Sequence, residues 1–227
     1  MNYIKKVRSI SIWIFIIPFV SVNTCLLIVT NFHQILEPGV AINSSFLPYF
    51  DGGASISRTV RNYPLYLIFK PAMFITSFLL IKYWLNTKKI INKFYENHRY
   101  VKKILFFGIA SAICLTIHSI FLGIKIDNDL YKLLRRVILL SFIIFELIAQ
   151  AYLIATYIEL KEKLKIYINK KILTIKKNLI TVLIIVSIIA IPFLPFSNFK
   201  FLKHALEWNL FLGVITFYLL TYFMWKK

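Results

Sequence analysis

Acidic residues are scarce in this chain. Nine Asp and Glu stand against 28 Lys and Arg in 227 residues, for a formal net charge of +19. Charge of either sign is thin, at 16% of residues. A soluble domain of this length needs far more of it on its surface. Cysteine is nearly absent. Cys25 and Cys114 sit in apolar runs with no CxxC or other metal-ligating spacing, which argues against a disulfide framework and a metal site. No GxSxG, HExxH, P-loop or dinucleotide fingerprint occurs. No cofactor is expected, and no internal repeat or low-complexity tract is visible.

What the chain has instead is apolar length. Hydrophobic residues make up 59%, with 21 Phe and 13 Tyr, and the mean hydropathy is +0.73. About 20 apolar residues cross a bilayer as helix. Runs of that kind occur at about 9–31, 64–85, 103–123, 134–158, 178–196 and 205–225. The expected fold class is all-α: a polytopic membrane protein in which residues 1–227 form a single six-helix transmembrane domain. The first run follows Lys5-Lys6-Val7-Arg8 but has near full membrane length, so it reads as a retained helix rather than a signal peptide. Pro192 and Pro195 interrupt the end of the fifth run.

Lys and Arg fall at span ends, so their partners are lipid headgroups and not nucleic acid. Nineteen of them flank one side of the six runs and eight the other, with Lys70 inside a run. By the positive-inside rule both termini are cytoplasmic, and segment 32–63 is an ordered extracytoplasmic loop. Segment 159–177 is a Lys- and Ile-rich inner connector. It either continues the fourth helix, lies along the surface as an amphipathic helix, or forms a solvated hairpin.

The stretch LPYFDGGASISRTVRNYP leading into FKPAMFITSFLL (47–80), then FGIASAICLTIHSIF (107–121), LLRRVILLSFIIFELIAQAYLI (133–154) and ALEWNLFLGVITFYLLTYFMW (205–225) occur in a characteristic order. Together they resemble the six-span superfamily of the damage-regulated autophagy modulators (DRAM), the yeast Sfk-type proteins and the GPI-remodelling factor related to the FGF-receptor-activating protein. The likeness covers nearly the whole chain. Val60 stands where that group usually has Gly, extra residues surround Asp51 to Ser55, and Arg135-Arg136 opens the fourth span in place of small residues or His. The resemblance implies a membrane protein linked with lipid handling or partner recruitment. It supplies no shared catalytic motif.

Within the spans, Glu146 is the sharpest feature. It lies near the middle of the fourth run with Gln150 one turn later. A carboxylate at that depth must be paired, protonated or hydrated. His118 is one candidate partner, and the row Ser111, Thr116, Ser119 another. The cluster Glu146, Gln150, His118 reads as a buried clamp, a headgroup or ion contact, or an acid–base pair. Glu207 and Trp208 open the last span, where they suit a helix N-terminus and the aromatic belt. Alternatively, Glu207 pairs with Arg58, Arg61 or Lys70 and pins the outer loop. Arg58, Arg61, Lys70, Glu207 and Trp208 are the candidate lipid- or partner-binding residues. Asp51-Gly52-Gly53 reads as a turn. The alternation of Ser55, Ser57 and Thr59 hints at a short extended strand, and Asn43-Ser44-Ser45 fits a glycosylation sequon. Tyr83, Tyr95, Tyr100, Tyr131, Tyr157 and Tyr222 read as an anchoring belt.

The expected role is that of a non-enzymatic integral membrane protein. It would bind a phospholipid or glycolipid, or an integral membrane protein partner as an accessory subunit of a complex. The alternatives are a lipid-modifying or lipid-remodelling enzyme or cofactor at the outer leaflet, and a small transporter or channel.

Overall fold

A computed structural model describes residues 2–32, 34, 36, 47–96, 98–124, 128–193 and 196–226. Asn43, Pro195 and Lys125 lie outside these residues. The elements are α1 (Asn2–Asn31), α2 (Ile56–Val60), α3 (Leu65–Phe94), α4 (Val101–Phe121), α5 (Asp129–Glu159), α6 (Lys170–Ala190) and α7 (Lys200–Met224), with 3-10 turns at Ile191–Phe193 and Ser197–Phe199. Six of the helices are long and apolar enough to cross a membrane. Their cause is solvent: hydrocarbon offers no hydrogen-bond partner to a peptide group, so each run must pair its own amides. Their outward faces carry large apolar side chains, among them Phe78, Phe106, Val182 and Phe223, each more than half exposed.

The long helices form a ring in the order α5–α4–α3–α1–α7–α6, closed where α6 meets α5. That last seam is the thinnest of the ring. α5 has no fully buried residue before Glu146, and its first half packs on α4 and faces the inside of the ring only through partly buried side chains such as Phe142 and Ile143. Both termini sit at one end, where Arg8 Nε donates to the Tyr222 carbonyl at 3.2 Å and its guanidinium lies 4.7 Å from the Tyr222 ring centroid. At the same end Glu159 closes the α5 terminus against the α3–α4 link, with His98 Nε2 at 2.9 Å and Arg99 Nη2 at 2.5 Å. The hydrogen bond to Glu159 raises the Arg99 pKa above its ordinary value.

Caps mark where helices begin. Asn128 accepts from the Leu130 amide at 2.8 Å and Asn169 from the Lys171 amide at 3.0 Å. The Asn169 cap starts α6 at Lys170, eight residues before the apolar run alone indicates, because polar and basic residues extend the helix past the hydrocarbon. Segment 160–167 folds as turns, not as a continuation of α5 or a surface helix, and Ile168 bridges to Trp225. α6 ends at Ala190 and tightens into the 3-10 turn at Ile191–Phe193 that contains Pro192.

Candidate functional site: an apolar cleft with buried carboxylates

At the end opposite the termini, the segment from Leu47 to Pro64 crosses over the ring. The Ser55–Thr59 alternation does not make a strand: residues 56–60 are helical. Ser55 Oγ caps that turn by accepting from the Arg58 amide at 3.2 Å. Asp51 makes the turn its sequence suggests, accepting from the Leu47 and Gly53 amides at 3.0 and 3.1 Å.

Four side chains fasten this segment. Tyr49 Oη donates to Asn23 Oδ1 on α1 at 3.0 Å. Trp208 Nε1 donates to the Ala54 carbonyl at 2.9 Å, Asn209 Nδ2 to Tyr49 at 2.7 Å, and His204 Nδ1 to Gly52 at 2.7 Å. Burial pushes the Tyr49 phenol above its ordinary pKa, against the pull of Asn23, so it remains a donor at neutral pH. Trp208 is fully buried and packs against Tyr49 with the rings tilted by 58° and their centroids 4.9 Å apart. It is an anchor for this segment rather than a headgroup-belt residue.

Beneath the segment, a narrow cleft runs down the inside of the ring. α2 roofs it with Ile56, Ser57 and Val60. Its walls are Ile14 and Pro18 of α1, Phe69, Met73, Thr76 and Leu80 of α3, Leu115 and His118 of α4, Leu139, Phe142 and Ile143 of α5, and Phe211, Val214 and Ile215 of α7. Glu207 stands near the roof, and Glu146 with Tyr218 forms the floor. From Glu207 to Tyr218 is eleven residues of α7, or about 16 Å at 1.5 Å per residue. Among the described residues no Lys or Arg lines it.

Glu146 is 0% exposed and joins three helices. Ser111 Oγ of α4 donates to one carboxylate oxygen at 2.5 Å. Gln150 Nε2 donates to the other at 2.9 Å, and Tyr218 Oη of α7 donates to that same oxygen. Gln150 also reaches the Val214 carbonyl at 3.3 Å. Of the row on α4 only Ser111 meets Glu146; Thr116 and Ser119 bond back to their own helix. His118 shares the cleft wall with Glu146, but no hydrogen bond joins them. His118 is 4% exposed and its Nδ1 has no partner.

The basic candidates do not converge. Among the described residues no ion pair joins Glu207 to Arg58, Arg61 or Lys70. Instead the Glu207 carboxylate faces the backbone of Ile56 and Ser57 at the roof. Glu207 is half-buried by surface area yet enclosed by protein, which is what lining an internal cleft produces. The Arg58 charge acts on His204 of α7, the Arg61 charge acts on Arg135 of α5, and Lys70 Nζ reaches the Ile120 carbonyl at 3.4 Å.

Sequence reasoning missed Lys176. Grouped with the inner connector, it is instead fully buried in α6, donating to Thr221 Oγ1 at 2.5 Å with its ammonium 3.7 Å from the Phe217 ring centroid. The available signal was its place in the stripe Leu173, Lys176, Ile180, Leu183, the buried face of α6. Tyr83 and Tyr157 are likewise not belt residues. Both are fully buried, and their hydroxyls lack partners, as does Thr87 Oγ1. No protein-family model, curated protein or solved structure matches the chain.

Proposed function

We propose that this chain is a non-enzymatic integral membrane protein that accommodates a lipid chain in the cleft inside its helix ring. One observation carries the reading. The cleft is apolar over nearly all its wall, lies within the membrane-crossing part of the bundle, and is roofed by a fastened segment. A cavity of this kind left empty forfeits contacts on every lining side chain, and the bilayer supplies acyl chains at high concentration. Entry is lateral, through the thin side of the ring where α5 has no fully buried residue before Glu146.

In this reading residues 1–227 act as one six-helix domain. The termini are cytoplasmic by Lys/Arg bias, and segment 47–64 is an ordered extracytoplasmic roof. The likeness to the DRAM and Sfk-type six-span superfamily fits a lipid-handling or accessory role. Glu146 serves as the clamp that sets the cleft floor, since all three of its bonds go to helices of the bundle. The test is native mass spectrometry of protein purified in mild detergent, with Leu139→Trp filling the cleft. A lipid held at one per chain and lost in the variant supports the reading. The same lipid retained by both proteins sinks it.

A small transporter is the second reading. It is favoured by the buried polar groups below the cleft floor: Lys176, and the unpartnered hydroxyls of Tyr83, Thr87 and Tyr157. These continue the line of polar atoms from Glu146 toward the termini. Proton flux into liposomes that Glu146→Gln abolishes would favour it over the first.

A further inference from the structure

Two arginines adjoin residues of the cleft, and a third follows one of them in sequence. Arg61 follows Val60, which is part of the roof, and Arg135 stands one turn before Leu139, which is part of the wall. The charges of Arg61 and Arg136 both act on Arg135. Arg135 lies against Tyr131, 5.9 Å from guanidinium carbon to ring centroid, and Tyr131 is itself tied to the Phe121 carbonyl at 2.8 Å. No described carboxylate forms an ion pair with any of the three. Like charges drawn together without a counter-charge repel. Moreover Arg135 Nε is buried and has no acceptor among the described residues, and a buried donor without a partner calls for one.

We propose that Arg61 and Arg135, with Arg136 beside them, bind the phosphate of an anionic phospholipid whose acyl chain occupies the cleft. This rests on the lipid-chain reading and adds the headgroup to it. The guanidinium fork matches a phosphate oxyanion in shape and charge. Arg135 falls in the second turn of α5, at the depth where side chains meet headgroups. The carboxylates of the cleft do not compete: neither Glu207 nor Glu146 forms an ion pair among the described residues, and Glu146 lies at the far end. Phosphate is the shared chemistry of a lipid headgroup and the free ion, and the attached chain makes the lipid the stronger ligand.

The experiment uses the full chain, stripped of lipid in an uncharged detergent. Binding of phosphatidylglycerol, diacylglycerol and inorganic phosphate is measured for the natural protein and for Arg61→Gln/Arg135→Gln. The expected result is phosphatidylglycerol bound at least tenfold more tightly than diacylglycerol, a preference erased in the double variant with diacylglycerol affinity unchanged. Inorganic phosphate should bind weakly and compete. Equal affinity for the two lipids in the natural protein, or a preference that survives the double substitution, overturns the headgroup site. Diacylglycerol failing to bind at all overturns instead the lipid-chain reading beneath it. Should the double variant fail to fold, the natural protein alone decides: a preference abolished by high salt supports the site, and a salt-independent one contradicts it.

Discussion

Trp208 Nε1 donates to the carbonyl of Ala54 across 154 positions of sequence. This bond ties the segment after α1 to the first turns of the last helix. It also holds α2 over the cleft, because Ile56 follows Ala54 by two residues. A buried indole N–H without an acceptor costs about 1–3 kcal/mol, so the tie fixes the roof as well as the ring. Trp208→Phe should keep the helices but loosen residues 47–60. Hydrogen exchange there should quicken while exchange in α3 and α4 stays slow. Unchanged protection of the segment would show that the other three ties suffice.

Gly52 makes the same junction depend on the backbone. Its φ is +64°, and a Cβ there would lie 1.7 Å from the Phe201 carbonyl oxygen. That atom is helix backbone and cannot move aside. Gly52→Ala should lower the melting temperature in detergent by the equivalent of ~2 kcal/mol or more, the cost of a displaced backbone contact plus left-handed strain. A neutral substitution would mean the roof is not seated as described.

Glu146 should behave as a clamp. Glu146→Leu leaves Ser111, Gln150 and Tyr218 without their shared acceptor, and should cost about 3 kcal/mol. Glu146→Gln keeps one acceptor oxygen and should cost much less. Thermal unfolding of the three proteins gives the order directly. Equal loss in both variants would point to the charge itself, and so to the transporter reading.

Lys176 should be the reverse case. Fully buried, it bonds one hydroxyl and faces one ring, with no carboxylate in ion-pair contact. Burying an amine away from water costs about 1–3 kcal/mol, which a single hydroxyl hydrogen bond offsets only in part. Lys176→Met should therefore raise the melting temperature, and any activity that falls with it assigns the lysine a working role. A lowered melting temperature would mean that buried water completes its coordination.

The six crossings were legible because each is a long, largely apolar run with at most a few charges in it, and a bilayer admits few other folds. The Glu146–Gln150 pair was legible from i, i+4 spacing, and Ser111 from the polar row on α4. Trp208, Tyr83 and Tyr157 were misread for one physical reason. An aromatic with a polar tip near a span end looks the same whether that tip meets water, a headgroup or a neighbouring helix. Lys176 was hidden by Lys170, Lys171 and Lys177, which made a buried position look like part of a charged connector. The parting of Arg58 and Arg61 depends on α2 being helical. Its five residues are too short for periodicity to declare.

The central claim is that a lipid chain resides inside the ring. Photolabelling in liposomes with a phosphatidylglycerol carrying a diazirine on its acyl chain tests it most directly. Peptide mapping should place label on Phe142, Ile143 and Val214, and Leu139→Trp should remove it from those positions alone. Label confined to outward-facing residues such as Phe106, Ile185 and Phe223, with none on the cleft wall, would contradict the account.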